Sequence, residues 1–274
     1  LTRRALAGTA VFAAAAVALT FLLLPIVAIF ARVPPGHLVE QLTNPVVKDA
    51  LVLSLEANVV AQALVLLFGT PAAYLLATRR FRGRSAAVLL VELPLVLPPA
   101  VAGIGLLAAF GRYGLLGGPL DALGIRVGLT RAAVVIAVAF VSSPLYIRQA
   151  IAVFEGIDPD VVAASRTLGA GPARTFFRVV LPLSRRGLAA GEALAFARGL
   201  GEFGATIMFA GNLQGVTQTL PLAIYTAFDL DFAVALSMSA LLVVVSGALL
   251  VALRLSLQWE PSRPTSRFLF ARSS

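Results

Sequence analysis

The chain has 274 residues, 59% hydrophobic and 13% charged, with a mean hydropathy of +0.94. Soluble domains carry about 25% charged and about 45–50% apolar residues, so this composition excludes a disordered chain and an ordinary soluble enzyme, and it indicates an all-α polytopic membrane protein. The formal charge of +9 comes from 22 basic residues, 21 of them Arg and one Lys48; in so apolar a chain, placement of basic residues on the cytoplasmic side accounts for them and no nucleic-acid partner is needed.

A spanning helix needs about 20 mostly apolar residues. Six stretches qualify: residues 9–31, 51–78, 86–110, 132–153, 188–211 and 232–253. The first follows Arg3 and Arg4 but exceeds the about 7–15 apolar residues of a signal peptide, so it reads as a retained helix. Gly69-Thr70-Pro71 interrupts the second. Pro94, Pro98 and Pro99, followed by Gly103 and Gly105, interrupt the third, and Ser142-Ser143-Pro144 the fourth. Proline removes a backbone donor and kinks a helix, and freed carbonyls at membrane depth are tolerated only inside protein or beside a cavity. Such breaks suit either packing kinks or the lining of a pathway.

The fifth stretch carries the most information. At 100° per residue, Gly187, Gly191, Arg198, Glu202 and Ala205 form one narrow stripe, opposite Phe196, Leu200, Phe203 and Ile207. The small and charged stripe must meet protein or water, while the greasy face suits lipid or an apolar neighbour. Arg198 and Glu202, four apart, can pair. Two readings fit: a buried ion pair holding helices in register, or a polar lining of a translocation path. Glu92, Glu192, Arg148 and Glu56 are expected mostly to snorkel or pair near span ends, and Trp259, after the sixth stretch, to anchor at the interface.

The loop charges orient the chain. With the N-terminus inside, the inner segments hold 15 basic residues and the outer ones 5, which predicts that both termini are cytoplasmic.

Several chemistries are excluded. Lys48 lies in Val47-Lys48-Asp49, so no phosphate-cradling Gly-Lys loop exists. Cysteine is absent and His37 is the single histidine, so no thiolate or histidine metal cluster can form. Ser142-Ser143 has no histidine or lysine base to activate it. The chain is expected to be no enzyme and to bind no cofactor or metal itself.

One inner loop is long, from Phe154 to Arg186. Asp158 can cap a helix begun by Pro159 and Asp160 and stopped by Gly169; a second short helix follows Gly171-Pro172 and is expected to end before Pro182. Two short, partly apolar helices suit a docking surface; an interfacial loop lying on headgroups has the same periodicity.

Here the residues resemble a family. Ala163-Ala164-Ser165, three residues, Gly169, nine residues, Val179, one residue and Leu181-Pro182 match the spacing of the Glu-Ala-Ala…Gly…Ile-x-Leu-Pro motif of ABC importer permeases, with Ala163 in place of the glutamate and Ser165 in place of the second alanine. Leu200-Gly201-Glu202-Phe203-Gly204-Ala205-Thr206, Ala210-Gly211-Asn212 and Thr217-Gln218-Thr219-Leu220-Pro221 look like the molybdate permease family, of which the sulfate and thiosulfate permeases are relatives.

The resemblance implies a type I ABC importer permease fold with six transmembrane helices in the bacterial cytoplasmic (inner) membrane. Residues 1–45 would form the first helix and outer loop, 46–255 the permease core with coupling loop 154–187, and 256–274 a cytoplasmic tail. It implies two copies around a pore, a cytoplasmic ATPase dimer holding ATP and Mg, an extracytoplasmic oxyanion-binding protein, and lipid around the assembly. Ala163, Ala164, Ser165, Gly169, Leu181 and Pro182 would couple to the ATPase. Arg198, Glu202, Thr206, Pro98 and Pro99 are candidates for the path. The resemblance implies molybdate as the cargo, moved by ATP hydrolysis on the separate ATPase, with sulfate/thiosulfate or tungstate as the alternative cargo and a self-contained secondary transporter as the alternative of another class.

Overall fold

The computed structural model describes residues 3–258, and every regular element among them is helical. Helix α1 (Arg3–Arg32) packs along α14 (Phe232–Gln258), and none of the side chains in its apolar stretch from Thr9 is buried, as suits a lipid-facing helix. Helix α2 (Pro35–Thr43) precedes Asn44, whose side chain accepts the Val46 N–H at 2.9 Å and so caps α3 (Pro45–Leu64). A π turn at Val65–Gly69 joins α3 to α4 (Thr70–Thr78). Pro71 has no N–H to give the carbonyl four residues earlier, and the widened turn just before it absorbs the mismatch. Residues Pro45–Thr78 thereby form one span despite Gly69-Thr70-Pro71.

The third expected span is not one helix. Helix α5 (Arg84–Val96) and α6 (Pro99–Phe110) are broken at Leu97-Pro98 and bent by 115°. Leu97 takes the extended backbone that a following proline imposes. Helix α7 (Gly117–Ala122) is short, and α8 (Arg131–Glu155) runs through Pro144 unbroken, with the Thr130 hydroxyl capping its start.

Asp158 accepts the Asp160 N–H at 2.9 Å and starts α9 (Pro159–Thr167), and Gly169 closes it at φ 83°. The next segment departs from expectation. Helix α10 (Pro172–Thr175) does not stop before Pro182; a π turn at Phe176–Val180 carries it into α11 (Leu181–Leu200), the widened turn absorbing the missing Pro182 N–H as the one before Pro71 does. The fifth expected span also differs: α11 ends at Leu200, residues 201–203 are not helical, and α12 (Gly204–Ala210) resumes. Helix α13 (Leu220–Leu230) leads into α14. Trp259 and the arginines at 263, 267 and 272 lie outside the described residues.

Among the described residues four helices are long and apolar enough to cross a bilayer, or five counting the bent pair. Helix α11 is not one of them, since Arg185, Arg186, Glu192 and Arg198 break its apolar run.

Helix α8 is the hub, packing against α3, α4, α5, α11 and α12. Its core with α3, α6 and α12 is rich in alanine (Ala57, Ala61, Ala102, Ala133, Ala137, Ala205), which lets the backbones approach closely. A second core joins Val65, Leu76, Tyr146, Phe154, Val180 and Leu188; a third fixes α13 and α14 to α3. Large apolar side chains such as Phe12, Phe21, Phe68, Leu90 and Val96 point outward, a surface that suits lipid and not water.

Candidate functional site

Two helix breaks meet inside the bundle. Helices α6 and α12 pack along each other, and Gly204, at the start of α12, lies against Pro99, at the start of α6. A Cβ on Gly204 would stand 2.7 Å from the Pro99 Cβ, so the contact requires glycine. The Leu97-Pro98 break and the 201–203 break are therefore juxtaposed.

Arg198 and Glu202 span the second break. Arg198 Nη1 donates to Glu202 Oε2 at 2.8 Å, and Glu202 Oε1 accepts the Ala205 N–H at 2.7 Å. The carboxylate is 2% exposed, while the Arg198 side chain is about a third exposed. One oxygen holds the last turn of α11 and the other satisfies a free N–H at the start of α12, where negative charge is favoured. A buried carboxylate with both oxygens engaged acts as a joint between helices; Arg198 keeps donors to spare toward its exposed side.

The predicted stripe faces protein. A Cβ on Gly187 would overlap Val153, one on Gly191 would lie 2.9 Å from Gln149 Cβ, and Ala205 is fully buried against α6 at Gly103. Leu200, assigned to the greasy face, is itself buried. Thr206 is fully buried and its hydroxyl has no partner among the described residues. The remaining in-span charges mostly pair: Arg148 with Glu92 at 3.4 Å and Arg131 with Glu56 at 3.6 Å. Glu192 differs, with Oε2 buried and unpartnered.

Sequence reasoning missed a buried amide network beneath this joint. Asn58 Nδ2 donates to the Phe196 carbonyl at 2.9 Å, and Gln62 Nε2 to Asn58 Oδ1 at 3.0 Å and Ser142 Oγ at 3.1 Å. Ser54, one turn earlier, accepts the Leu220 N–H at 2.7 Å. A Cβ on Gly199 would overlap Asn58, so α11 is drawn onto α3 one residue after Arg198 begins its pair. The signal was present: Ser54, Asn58 and Gln62, spaced by four, mark one polar stripe on an otherwise apolar helix.

The segment from Ala163 to Pro182 forms a separate unit. Ser165 and Thr175 hydroxyls bond at 2.8 Å and tie α9 to α10. Tyr74, Phe154 and Phe176 stack beneath, with Tyr74–Phe176 centroids 4.8 Å apart, and Arg84 pairs with Glu155 close by on α8. Ala163 and Ala164 stay at the surface side of α9, whereas Leu181 and Pro182 belong to the first turn of α11. A cavity of about 580 Å³, lined by Ile104, Leu107, Phe110, Arg112 and Ile125 among others, adjoins the α6–α7 connection and is lined by none of the predicted site residues. Among the described residues no group of three or more acidic or histidine side chains is placed to hold a metal.

Comparison with known proteins accords with this architecture. Residues 69–258 match the family described as binding-protein-dependent transport system inner membrane component. The molybdenum transport system permease protein ModB of Mycobacterium tuberculosis strain H37Rv is 48% identical over 247 residues, covering 88% of this chain and 91% of that one. The probable transport system permease protein NifC of Clostridium pasteurianum is 36% identical, covering 89% and 85%. A bacterial ABC transporter importing the acidic polysaccharide alginate shares the fold, with a TM-score of 0.74 at 15% identity over 95% of this chain and 97% of that one. A methionine ABC transporter in inward-facing form gives 0.60 at 19% identity over 76% and 93%. The polytopic helical fold, the pattern around Gly169 and Leu181-Pro182, and these relatives lead to one assignment: the chain belongs to the inner membrane components of binding-protein-dependent transport systems and is a permease subunit, not a self-contained secondary transporter.

Proposed function

We propose that this permease carries molybdate across the bacterial inner membrane, driven by ATP hydrolysis on a separate subunit. The observation that carries the reading is the 48% identity, over nearly the full length of both chains, to a permease named for molybdenum transport. The 15-to-5 split of basic residues supports six crossings with both termini cytoplasmic, α11–α12 serving as a polar fifth crossing buried against α8. A cysteine placed at Ser85 in this cysteine-free chain then reacts with a membrane-impermeant thiol reagent from the inside; labelling from the outside alone contradicts the orientation.

In this reading two copies surround the path, with residues 46–255 as the core of each. Ala163, Ala164, Ser165 and Gly169 meet the ATPase dimer, and Leu181-Pro182 joins their motion to α11. The continuous passage from α10 through the π turn into α11 supports such a lever, because a tilt of α9–α10 is passed on without an intervening loop. ATP binding and hydrolysis bias a two-state membrane domain through rigid-body movement. Pro98, Pro99 and the 201–203 break form the joint that moves, and Thr206 packs behind it.

The cargo is a dianion crossing a low-dielectric layer. Arg198 offers it attraction, and Glu202 tempers that attraction so the ion is released. A binding protein outside the membrane would supply most of the selectivity. Equilibrium binding of molybdate, tungstate and sulfate to the partner binding protein tests the cargo: tight molybdate binding with weak sulfate binding supports it, and the reverse order reassigns the permease to sulfate.

A further inference from the structure

Helix α4 ends in a run of arginines beside an apolar groove. Pro71, Tyr74, Leu75, Thr78 and Arg79, with Phe176 from the π turn before α11, enclose about 310 Å³. Upstream, Phe68, Pro71 and Leu75 follow one another at helical spacing and are exposed, so the groove opens onto an apolar strip that runs along the span. Arg79 lies at the groove's end, and Arg80 and Arg82 follow in the loop, all three exposed. Among the described residues no carboxylate lies within ion-pair distance of any of them. Glu155 on α8 is taken by Arg84, which also donates Nε–H to the Leu76 carbonyl at 2.6 Å. That double attachment ties the start of α5 to α8 and α4, so the loop stays next to the groove, with Arg79 lining it and Arg80 and Arg82 exposed just beyond.

We propose that this groove seats an acidic phospholipid. Its acyl chain would lie along Phe68, Pro71 and Leu75 against the Phe176 ring, and its phosphate would sit on Arg79 with Arg80 and Arg82 around it. The arrangement matches the molecule at both ends: an apolar strip at membrane depth, and unpaired planar donors, suited to phosphate oxygens, where the span ends. The site also touches the segment that precedes α11, because Phe176 packs on both Tyr74 and Phe154. Lipid occupancy therefore bears on the position of that segment, independently of the cargo.

The test uses the purified full permease–ATPase complex in neutral detergent, with phosphatidylglycerol and phosphatidylcholine titrated in turn and bound lipid counted by native mass spectrometry. Wild type is expected to prefer phosphatidylglycerol on the order of tenfold or more, given three basic side chains near one headgroup. The triple change Arg79→Gln, Arg80→Gln, Arg82→Gln should abolish that preference and leave phosphatidylcholine binding as it was. Leu75→Trp, which fills the groove and keeps every charge, should lower phosphatidylglycerol binding as well. Loss in the triple variant with full binding in Leu75→Trp would mean diffuse surface attraction and would overturn a seated lipid. So would an unchanged preference in both variants. A cysteine at Leu75 that cross-links to a second copy or to the ATPase would assign the groove to protein and overturn the proposal too.

Discussion

Gly204 rests against Pro99 so closely that a single added carbon would stand 2.7 Å from the proline ring. The two residues belong to different interrupted helices, each one residue past its break, and their contact brings the breaks together inside the bundle. Gly204→Val should therefore force α12 off α6, overpacking that costs about 1–3 kcal/mol. Expected is a lower unfolding temperature of the detergent-solubilised complex, with Gly204→Ala falling between it and wild type; equal stability of all three would show that the breaks do not bear on each other.

The Arg198–Glu202 pair gives an asymmetric prediction. Glu202→Gln keeps an oxygen for the Ala205 N–H and loses the ion pair, so folding should be mildly affected. Arg198→Leu strands a carboxylate that is 2% exposed. Losing one partner of a buried pair costs about 3–5 kcal/mol, and the partial exposure of Arg198 puts the expected loss at or below the lower end. Yield of assembled complex should thus rank wild type, Glu202→Gln, Arg198→Leu. If Arg198 also faces the cargo, Glu202→Gln slows uptake per assembled complex, whereas a joint without a path role leaves that rate unchanged.

Asn58 is expected to matter for the same joint from the other side. Asn58→Leu removes the donor to the Phe196 carbonyl and crowds Gly199. Interhelical hydrogen bonds in membranes contribute about 0.6 kcal/mol on average, so lost bonding alone should be modest and the steric part should dominate. Asn58→Ala, which removes the bond without the bulk, should then be clearly milder in thermal unfolding; equal losses would place the energy in the hydrogen bond instead.

Gly169 adopts φ 83°, a left-handed conformation that costs other residues roughly 1–2 kcal/mol. Nothing lies within 4 Å of where its Cβ would be, so the penalty is conformational and confined to the α9–α10 turn. Gly169→Val should leave the membrane core folded and assembled while lowering uptake per ATP hydrolysed. Normal coupling in an assembled variant would remove this turn from the ATPase contact.

Much of this organisation was legible in the residues. The Asp158 cap and the Gly169 stop follow from short-range rules that depend on a few neighbours and have the expected geometry, and the small and charged stripe faces protein although the helix that carries it breaks at residues 201–203. The breaks were visible as prolines, yet their consequences were not: Pro144 passes through α8 unbroken, Pro71 is absorbed by a π turn, and Leu97-Pro98 produces a 115° bend. Local composition names the weak point, while packing partners decide whether it bends. Pro182 misled in the other direction, since proline after a short helix reads as a stop but is also tolerated directly after a π turn. The amide network on α3 is a weaker signal than the α11 pair because Ser54, Asn58 and Gln62 are uncharged and scarcely interrupt the apolar run. The alignment of Pro99 with Gly204 needed the tertiary structure, being a contact between residues over a hundred positions apart.

In the proposed function this chain is the pore-forming part of an ATP-driven molybdate importer. Uptake of labelled molybdate into proteoliposomes holding the permease–ATPase complex, with ATP inside and the partner binding protein outside, tests it most directly. The account predicts accumulation that requires both ATP and the binding protein, that is competed by tungstate, and that is little affected by excess sulfate. Accumulation of sulfate in preference to molybdate under these conditions, or molybdate entry that proceeds without ATP, would contradict it.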